Sequence, residues 1–143
     1  MIDIESIVFD TVYNAVTDAS AFPNCRVDAG YVEKSATFPA VSVVETNSVP
    51  VAQTATDDND ENYTRLNYEV NIYSAKQDTA KSEAREIAQV VDAAMKTLKA
   101  HRSMMHQLPN QDRTIFRLYM RYEVIVKPIT SNGEITGYKF YRR

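Results

Sequence analysis

The sequence contains few of the residues that most often carry chemistry. Its 143 residues include one cysteine, two histidines, three glycines and no tryptophan. Cys25 cannot form an internal disulfide, and with only His101 and His106 beside it there is no Cys/His cluster at zinc spacing. The glycines are too scattered to form a loop that cradles a phosphate. We therefore expect neither a bound metal nor a cofactor.

Long apolar runs and a strong charge imbalance are also missing. No apolar run approaches the roughly 18 residues of a membrane span, so we expect no membrane association. The formal net charge of -3 argues against a protein whose main work is coating phosphate backbones. The opening "MIDIESIVFD" has neither the basic flank nor the small-residue cleavage site of a secretory signal. We expect the protein to stay in the cytosol where it is made.

Catalytic constellations are not recognisable either. Both histidines lie in "KAHRSMMHQLPN", which is interpreted as a connection between a helix and a strand, and no Ser or Cys stands in a nucleophile motif. The histidines are predicted to be exposed loop residues. Carboxylates could meet across strands, but the sequence singles out no pair. The sequence favours a protein that is not an enzyme.

The length suits one domain spanning residues 1–143. A helical stripe predicts a helix from about Asp3 to Thr17, capped by Asp3 and ending before Pro23. The inward stripe is predicted to contain Ile4, Ile7, Val8, Thr11, Val12 and Ala15.

Extended segments are predicted around Arg26 to Tyr31 and from Pro39 to Asn47, the second rich in β-branched residues. The following stretch, Ser48 to Glu61, has no sustained period and holds four acidic residues. It lacks the ligand spacing and central glycine of a calcium loop. We interpret it as a mobile, solvated loop rather than a cation site.

The segment "AKQDTAKSEAREIAQVVDAAMKTLKA" predicts a long amphipathic helix. Asp78 or Thr79 can cap its start, and Lys96 and Lys99 complement its dipole. Its apolar stripe could bind a partner, but packing on the domain's own sheet is commoner. The residues predicted to face inward are Ala84, Ile87, Ala88, Val91, Ala94, Met95 and Leu98.

Two strongly alternating strands flank that helix. "NYTRLNYEVNIYS" puts Leu66, Tyr68, Val70 and Ile72 on one side and polar residues on the other, and "TIFRLYMRYEVIVKP" repeats the pattern. Asn132-Gly133 is a favoured two-residue turn, so a C-terminal hairpin is predicted over about 122–143. The order predicts an α+β fold, in which an antiparallel or mixed sheet carries a short N-terminal helix and one long amphipathic helix on one face.

The polar side of these two strands is the candidate site. It is an ordinary solvated face or an oligomer or partner surface, since Tyr and Arg are enriched at interfaces and antiparallel sheets commonly wet one side. Mixed charge signs favour docking against copies of the same chain. The candidate interface residues are Arg65, Glu69, Arg117, Tyr119, Arg121 and Glu123.

Several stretches together resemble a known family. "FPAVSVVE", "YEVNIYS", "AREIAQVVDAAMKTL", "FRLYMRYEVIV" and the closing "YRR" are similar to the tail terminator, or tail-completion, proteins of the neck of siphophages and their prophages. The resemblance covers most of the chain. It departs at the end, where "KPITSNGEITGYKFYRR" is longer than the return typical of the family.

The resemblance implies a structural virion protein that caps the finished tail tube and joins it to the head connector. It implies a homo-oligomeric ring, a hexamer, with the tail tube protein and the head-tail connector proteins as partners. DNA would pass through without specific binding. The protein would be assembled in the host bacterial cytoplasm and reside at the neck or tail end of the virion. The candidate interface residues would pair between subunits or line the inner wall.

Other functions remain open. Head-closure and minor capsid neck proteins share the size and the lack of motifs. A small monomeric adaptor would use the same polar face for docking. A nucleic-acid-binding module would draw on the arginines and on tyrosines that stack bases, namely Arg26, Arg102, Arg113, Arg117, Arg121, Arg142 and Arg143.

Overall fold

A six-stranded sheet with two helices on one face forms the fold, as the computed structural model shows over the residues it describes. The predicted α+β class is confirmed, and the sheet is mixed because its first two strands run parallel. The described residues are 3–17, 22, 25–30, 38–50, 63–75, 78–109 and 114–141. The elements in chain order are α1 (Glu5–Thr17), β1 (Arg26–Asp28), β2 (Ala40–Pro50), β3 (Thr64–Ser74), α2 (Ala80–Thr97), β4 (His101–Leu108), β5 (Phe116–Ser131) and β6 (Glu134–Tyr141).

Helix α1 begins where predicted, since the Asp3 carboxylate accepts a hydrogen bond from the Glu5 backbone N–H at 3.2 Å. That contact satisfies one of the free donors of the first turn. The predicted stripe needs a correction. Ile4 and Val8 are buried as expected, but the stripe continues through Val12 to Val16, and Ile7, Thr11 and Ala15 are only half-buried at its margin.

The sheet has the order β1-β2-β3-β5-β4, with β6 also paired to β5. Strand β2 is longer than predicted, because after a bulge at Thr46 it continues to pair with β3 through Pro50. Ser48 to Pro50 therefore belong to a strand and not to the predicted loop, whose remainder (51–61) lies outside the described residues. Strand β1 is shorter than predicted and pairs with β2 over three residues.

Strands β3 and β5 form the centre of the sheet, with Tyr68 directly opposite Tyr122. Their even-numbered side chains pack into the core against both helices, as the alternation predicts. The two tyrosines are almost fully buried, and each places its hydroxyl on a carboxylate. Tyr68 donates to Glu45 at 3.2 Å, and Tyr122 donates to Asp92 at 2.8 Å.

Helix α2 lies across β3, β4 and β5 and packs against α1. All seven residues predicted to face inward are buried. The predicted side-chain cap is wrong, because Thr79 occupies the N-cap position without a side-chain cap hydrogen bond. Asp78 has a positive φ of 64°, which takes the chain into the helix through a turn instead. The helix ends at Thr97, followed by Lys99 in the left-handed conformation.

The segment after α2 is not the predicted connection. Residues His101 to Leu108 form β4, which pairs antiparallel with β5 at the edge of the sheet. Both histidines are exposed, as expected, but they stand on a strand. The pattern hid this strand because only Met105 and Leu108 are even half-buried and a bulge at Ser103 breaks the alternation.

The last two strands form the predicted hairpin. Asn132 and Gly133 both have positive φ values, 53° and 81°, as a type I′ turn requires. Strand β5 pairs with β3 only as far as Val126, and β4 ends opposite Glu123. The stretch Lys127 to Lys139 is therefore a two-stranded projection, here called the C-terminal arm, which extends beyond the rest of the sheet.

Candidate interaction surface

The sheet face opposite the helices carries all six candidate interface residues. Alternation along β3 and β5 directs the odd-numbered side chains of both strands away from the core. This polar sheet face consists of Arg65, Asn67, Glu69, Asn71 and Tyr73 on β3 and of Arg117, Tyr119, Arg121 and Glu123 on β5. The structure thus brings the predicted residues together on one surface.

Diagonal contacts link the two strands across this face. Tyr119 donates its hydroxyl to the Glu69 carboxylate at 2.8 Å, and the Arg65 guanidinium lies 3.4 Å from the Glu123 carboxylate. In the register, Tyr119 is opposite Asn71 and Glu123 is opposite Asn67. Each contact therefore goes to the residue two positions earlier on β3, which lies on the same face. Such diagonal neighbours lie within reach of long side chains. These side chains are therefore partnered within the chain.

One end of the polar sheet face is buried, which the sequence does not indicate. Asn71 is fully buried, Tyr73 is only 7% exposed, and the neighbouring Ser42 on β2 is also fully buried. The Ser42 hydroxyl donates to the Gly30 carbonyl at 2.7 Å, so Gly30, two residues after β1, lies against this end. The expectation that this face meets either water or a partner surface is wrong at these positions, because the chain itself buries them.

Arg117 closes this buried end. Its Nε donates to Asn71 Oδ1 at 3.0 Å, and its guanidinium lies 5.6 Å from the centroid of the Tyr73 ring. The Asn71 amide nitrogen is buried and has no hydrogen-bond partner among the described residues. Arg117 thus serves the chain's own packing, because its removal would leave both polar ends of a buried amide unsatisfied.

Arg121 differs from Arg117, which precedes it by four residues on the same strand. It lies directly opposite Glu69, yet its side chain makes no hydrogen bond or ion pair within the described part of the chain. The exposed Met104 of β4 is its partner on the other side, 43% exposed. Arg121 is thus the arginine of this face whose side chain has no polar partner among the described residues, and the exposed Met104 lies beside it.

The other candidate groups point to structure more than to chemistry. Burial, reinforced by the nearby Glu83 carboxylate, raises the pKa of the Cys25 thiol to about 12. The thiol stays protonated at neutral pH and is a poor nucleophile. Burial and hydrogen bonds to carboxylates also raise the pKa of Tyr68 and of Tyr122, so both phenols remain neutral donors.

An open cleft of about 460 Å³ lies between the start of α2 and the ends of β4 and β5. Lys81, Gln107 and Arg117 contribute polar groups to it, and Leu108 and Phe116 contribute apolar ones. Among the described residues no three His, Cys, Asp or Glu side chains gather closely enough to hold a metal ion. That the protein is not an enzyme stays a prediction from the sequence.

Sequence reasoning missed the residues that organise this surface. Asn71 fell on the outer face by parity, but alternation gives the face and not what covers it. Tyr63 and Tyr141 also escaped notice, although their rings meet edge to face at 5.1 Å beside the arm. In "YKFY", Lys139 and Tyr141 are two residues apart and so share one face of a strand. This spacing is the one local signal that could have indicated Tyr141.

Two comparisons with known proteins found no match. No protein-family model matches the chain, and no curated protein is similar to it in sequence. Within the described residues, no helix is long and apolar enough to cross a membrane.

Proposed function

We propose that the protein is a tail terminator of a tailed phage or prophage, a ring that caps the tail tube and joins it to the head connector. The observation that carries the proposal is the element order. A short N-terminal helix leads into the sheet and a long helix crosses one face, which is the arrangement implied by the resemblance of "YEVNIYS" and its neighbours to that family.

The polar sheet face fits this role mechanically. Its cross-strand contacts fix the central strands, so the sheet can transmit load between tube and connector without changing shape. It carries three arginines and two glutamates, and this mixture of signs gives a passing DNA molecule no continuous basic track to bind. The partners are a tail tube protein, the head-tail connector proteins and further copies of the chain.

Localisation in assembled particles tests the proposal. A peptide tag inserted at Gly133, the exposed turn of the C-terminal hairpin, is labelled with gold and viewed by electron microscopy on isolated tails and on whole particles. The proposal expects label at one end of free tails and at the head-tail junction of particles. A tag placed after residue 143 serves as the control for loss of function caused by the insertion at Gly133.

Other results separate the alternatives. Label that remains on tailless heads and is missing from free tails identifies a head-closure or minor capsid protein. Label absent from both, with the protein found as a monomer bound to one soluble partner, contradicts the proposal in favour of an adaptor.

A further inference from the structure

Charge is distributed unevenly between the end of the chain and the rest. Residues 127–143 contain four basic residues and one acidic residue, a net charge of +3. Since the whole chain carries -3, the other 126 residues carry -6. Two of these basic residues, Lys127 and Lys139, and the acidic Glu134 lie on the C-terminal arm, which carries +1 while the rest of the chain is acidic.

The C-terminal arm has surface that its own chain does not cover. Ile129 is 48% exposed and Ile135 is 50% exposed, the two highest values among its large apolar residues. Beyond Val126 the two strands pair only with each other. A two-stranded ribbon is marginally stable in water by itself, so this arm gains from a second surface.

The basic groups of the arm also lack acidic neighbours. Lys127 and Lys139 are directly opposite each other, an arrangement that is unfavourable for like charges. Their ammonium groups lie 5.4 Å and 5.3 Å from the ring centroids of Tyr63 and Tyr141. Within the described residues neither ammonium has a carboxylate partner.

Helix α1 presents the opposite chemistry. Its residues 5–17 include Glu5 and Asp10 and no lysine or arginine, and both carboxylates are exposed. Phe9 stacks on Tyr13 with ring centroids 5.9 Å apart, and Tyr13 is 44% exposed. None of the carboxylates on this side forms an ion pair with a described residue.

A third carboxylate adds to the negative field. Glu45 of β2 has its pKa raised, first by burial and further by the charges of Glu5 and Asp3, while its hydrogen bond from Tyr68 acts in the opposite direction. These like charges repel one another. An approaching cation would relieve that repulsion.

The two surfaces lie on opposite flanks of one sheet. Glu45 is on β2 and Lys139 is on β6, with β3 and β5 between them. Neighbouring strands are about 4.8 Å apart, so three spacings separate the flanks by roughly 14 Å. Two surfaces on opposite flanks of one sheet can contact each other more easily between two molecules than within one molecule.

We propose that the C-terminal arm of one copy docks on the exposed side of α1 of the next copy. Ile129, which shares a face of the arm with Lys127 and Lys139, covers the Phe9–Tyr13 pair, and the two lysines approach Glu5 and Asp10. The contact joins two different surfaces, so it is heterologous, and repetition by a closing rotation makes a ring. This contact specifies how the subunits of the proposed ring join. It rests on the proposed function only for what the ring does.

Charge reversal tests the contact. The arm variant is Lys127→Glu with Lys139→Glu, and the helix variant is Glu5→Lys with Asp10→Lys. Light scattering after size exclusion gives the mass over a concentration series. Each variant alone should raise the concentration at which the oligomer dissociates by about tenfold or more, and the combined four-site variant should restore the wild-type value.

The matched control is Lys81→Glu with Arg85→Glu, two exposed cations on α2. It changes the net charge as the arm variant does and should leave the mass unchanged. Far-UV circular dichroism and thermal melting establish that every variant is folded. For an arm variant that does not fold, Ile129→Ser replaces it and should raise the dissociation concentration, while Ile135→Ser, on the opposite face of the arm, is its control and should not.

Several outcomes overturn the contact. An oligomer whose mass is insensitive to both reversals does so, as does a combined variant that fails to recover, or a wild-type chain that stays monomeric throughout. Salt-dependent binding of single-stranded DNA by the arm lysines, with no effect on mass, would assign the arm to nucleic acid instead.

The proposed function is judged separately by arrest of tail-tube growth. An oligomer that depends on the arm but does not arrest growth upholds the contact and removes the function. If the protein arrests tube growth but its mass is insensitive to both charge reversals, the function is upheld and the contact is removed.

Discussion

At the scale of single residues, the polar sheet face divides into side chains that hold the chain together and side chains that remain available. Arg117 donates to a buried asparagine, whereas the side chain of Arg121, on the same face of the same strand, makes no hydrogen bond or ion pair with the described residues. Composition and alternation treat the two arginines alike. The difference comes from what lies over Asn71, which no local pattern encodes.

Truncation of the two arginines should therefore have unequal effects. Arg117→Ala leaves the Asn71 amide buried with both polar ends unpaired, so it should lower the free energy of unfolding by about 1–3 kcal/mol. Arg121→Ala, its control, should change that energy by less than about 0.5 kcal/mol. Urea denaturation with an unchanged slope measures both. Equal effects would show that the Asn71 contact does not hold this face.

Glu45 should make stability depend on pH. Its folded-state pKa lies above the ordinary value of 4.5. The neutral form therefore fits the fold better, and stability is highest below the unfolded-state pKa and falls as pH rises through the folded-state value. Glu45→Gln keeps an oxygen for the Tyr68 hydroxyl and removes that penalty.

Thermal melting checks this prediction. Glu45→Gln should raise Tm by a few °C at neutral pH and leave it unchanged in acid, below the carboxyl's ordinary pKa. The exposed Glu134→Gln is the control and should show no such dependence. A lower Tm for Glu45→Gln at neutral pH would mean that the charge is stabilised by a partner.

At the scale of elements, predictability follows burial. Helix α2 and strands β3 and β5 bury one complete face each, so their periods are regular, and the seven inward residues predicted for α2 and the four predicted for β3 are all buried. Strand β4 buries little and contains a bulge, so its sequence reads as a connection. The parallel pairing of β1 with β2 is non-local and has no sequence period at all.

Helix α2 should account for much of the stability. Ile87 is fully buried in the core shared by both helices and the sheet. Ile87→Ala should lower the free energy of unfolding by about 2–5 kcal/mol, through lost burial and the cavity left behind. The exposed Gln89→Ala is the control and should be nearly neutral. A small loss for Ile87→Ala would mean that α2 packs loosely on the sheet.

At the scale of the whole molecule, a six-stranded sheet carries a polar face, an acidic helix α1 and an arm that bears two lysines. From the sequence, the fold class and the six side chains of the polar face could be placed. Three features could not be predicted: the burial of Asn71, the edge strand β4 and the exposed arm. Each depends on which distant segments cover or fail to cover a surface. Those features now give the interface hypothesis specific residues.

The most direct measurement is the length distribution of tail tubes grown from purified tube protein, with and without this protein, by electron microscopy. If the protein is a terminator, addition during growth stops elongation, and the mean length no longer increases while free tube protein remains. Tubes that continue to lengthen at the same rate, with the protein present in excess over tube ends, would contradict a terminator function.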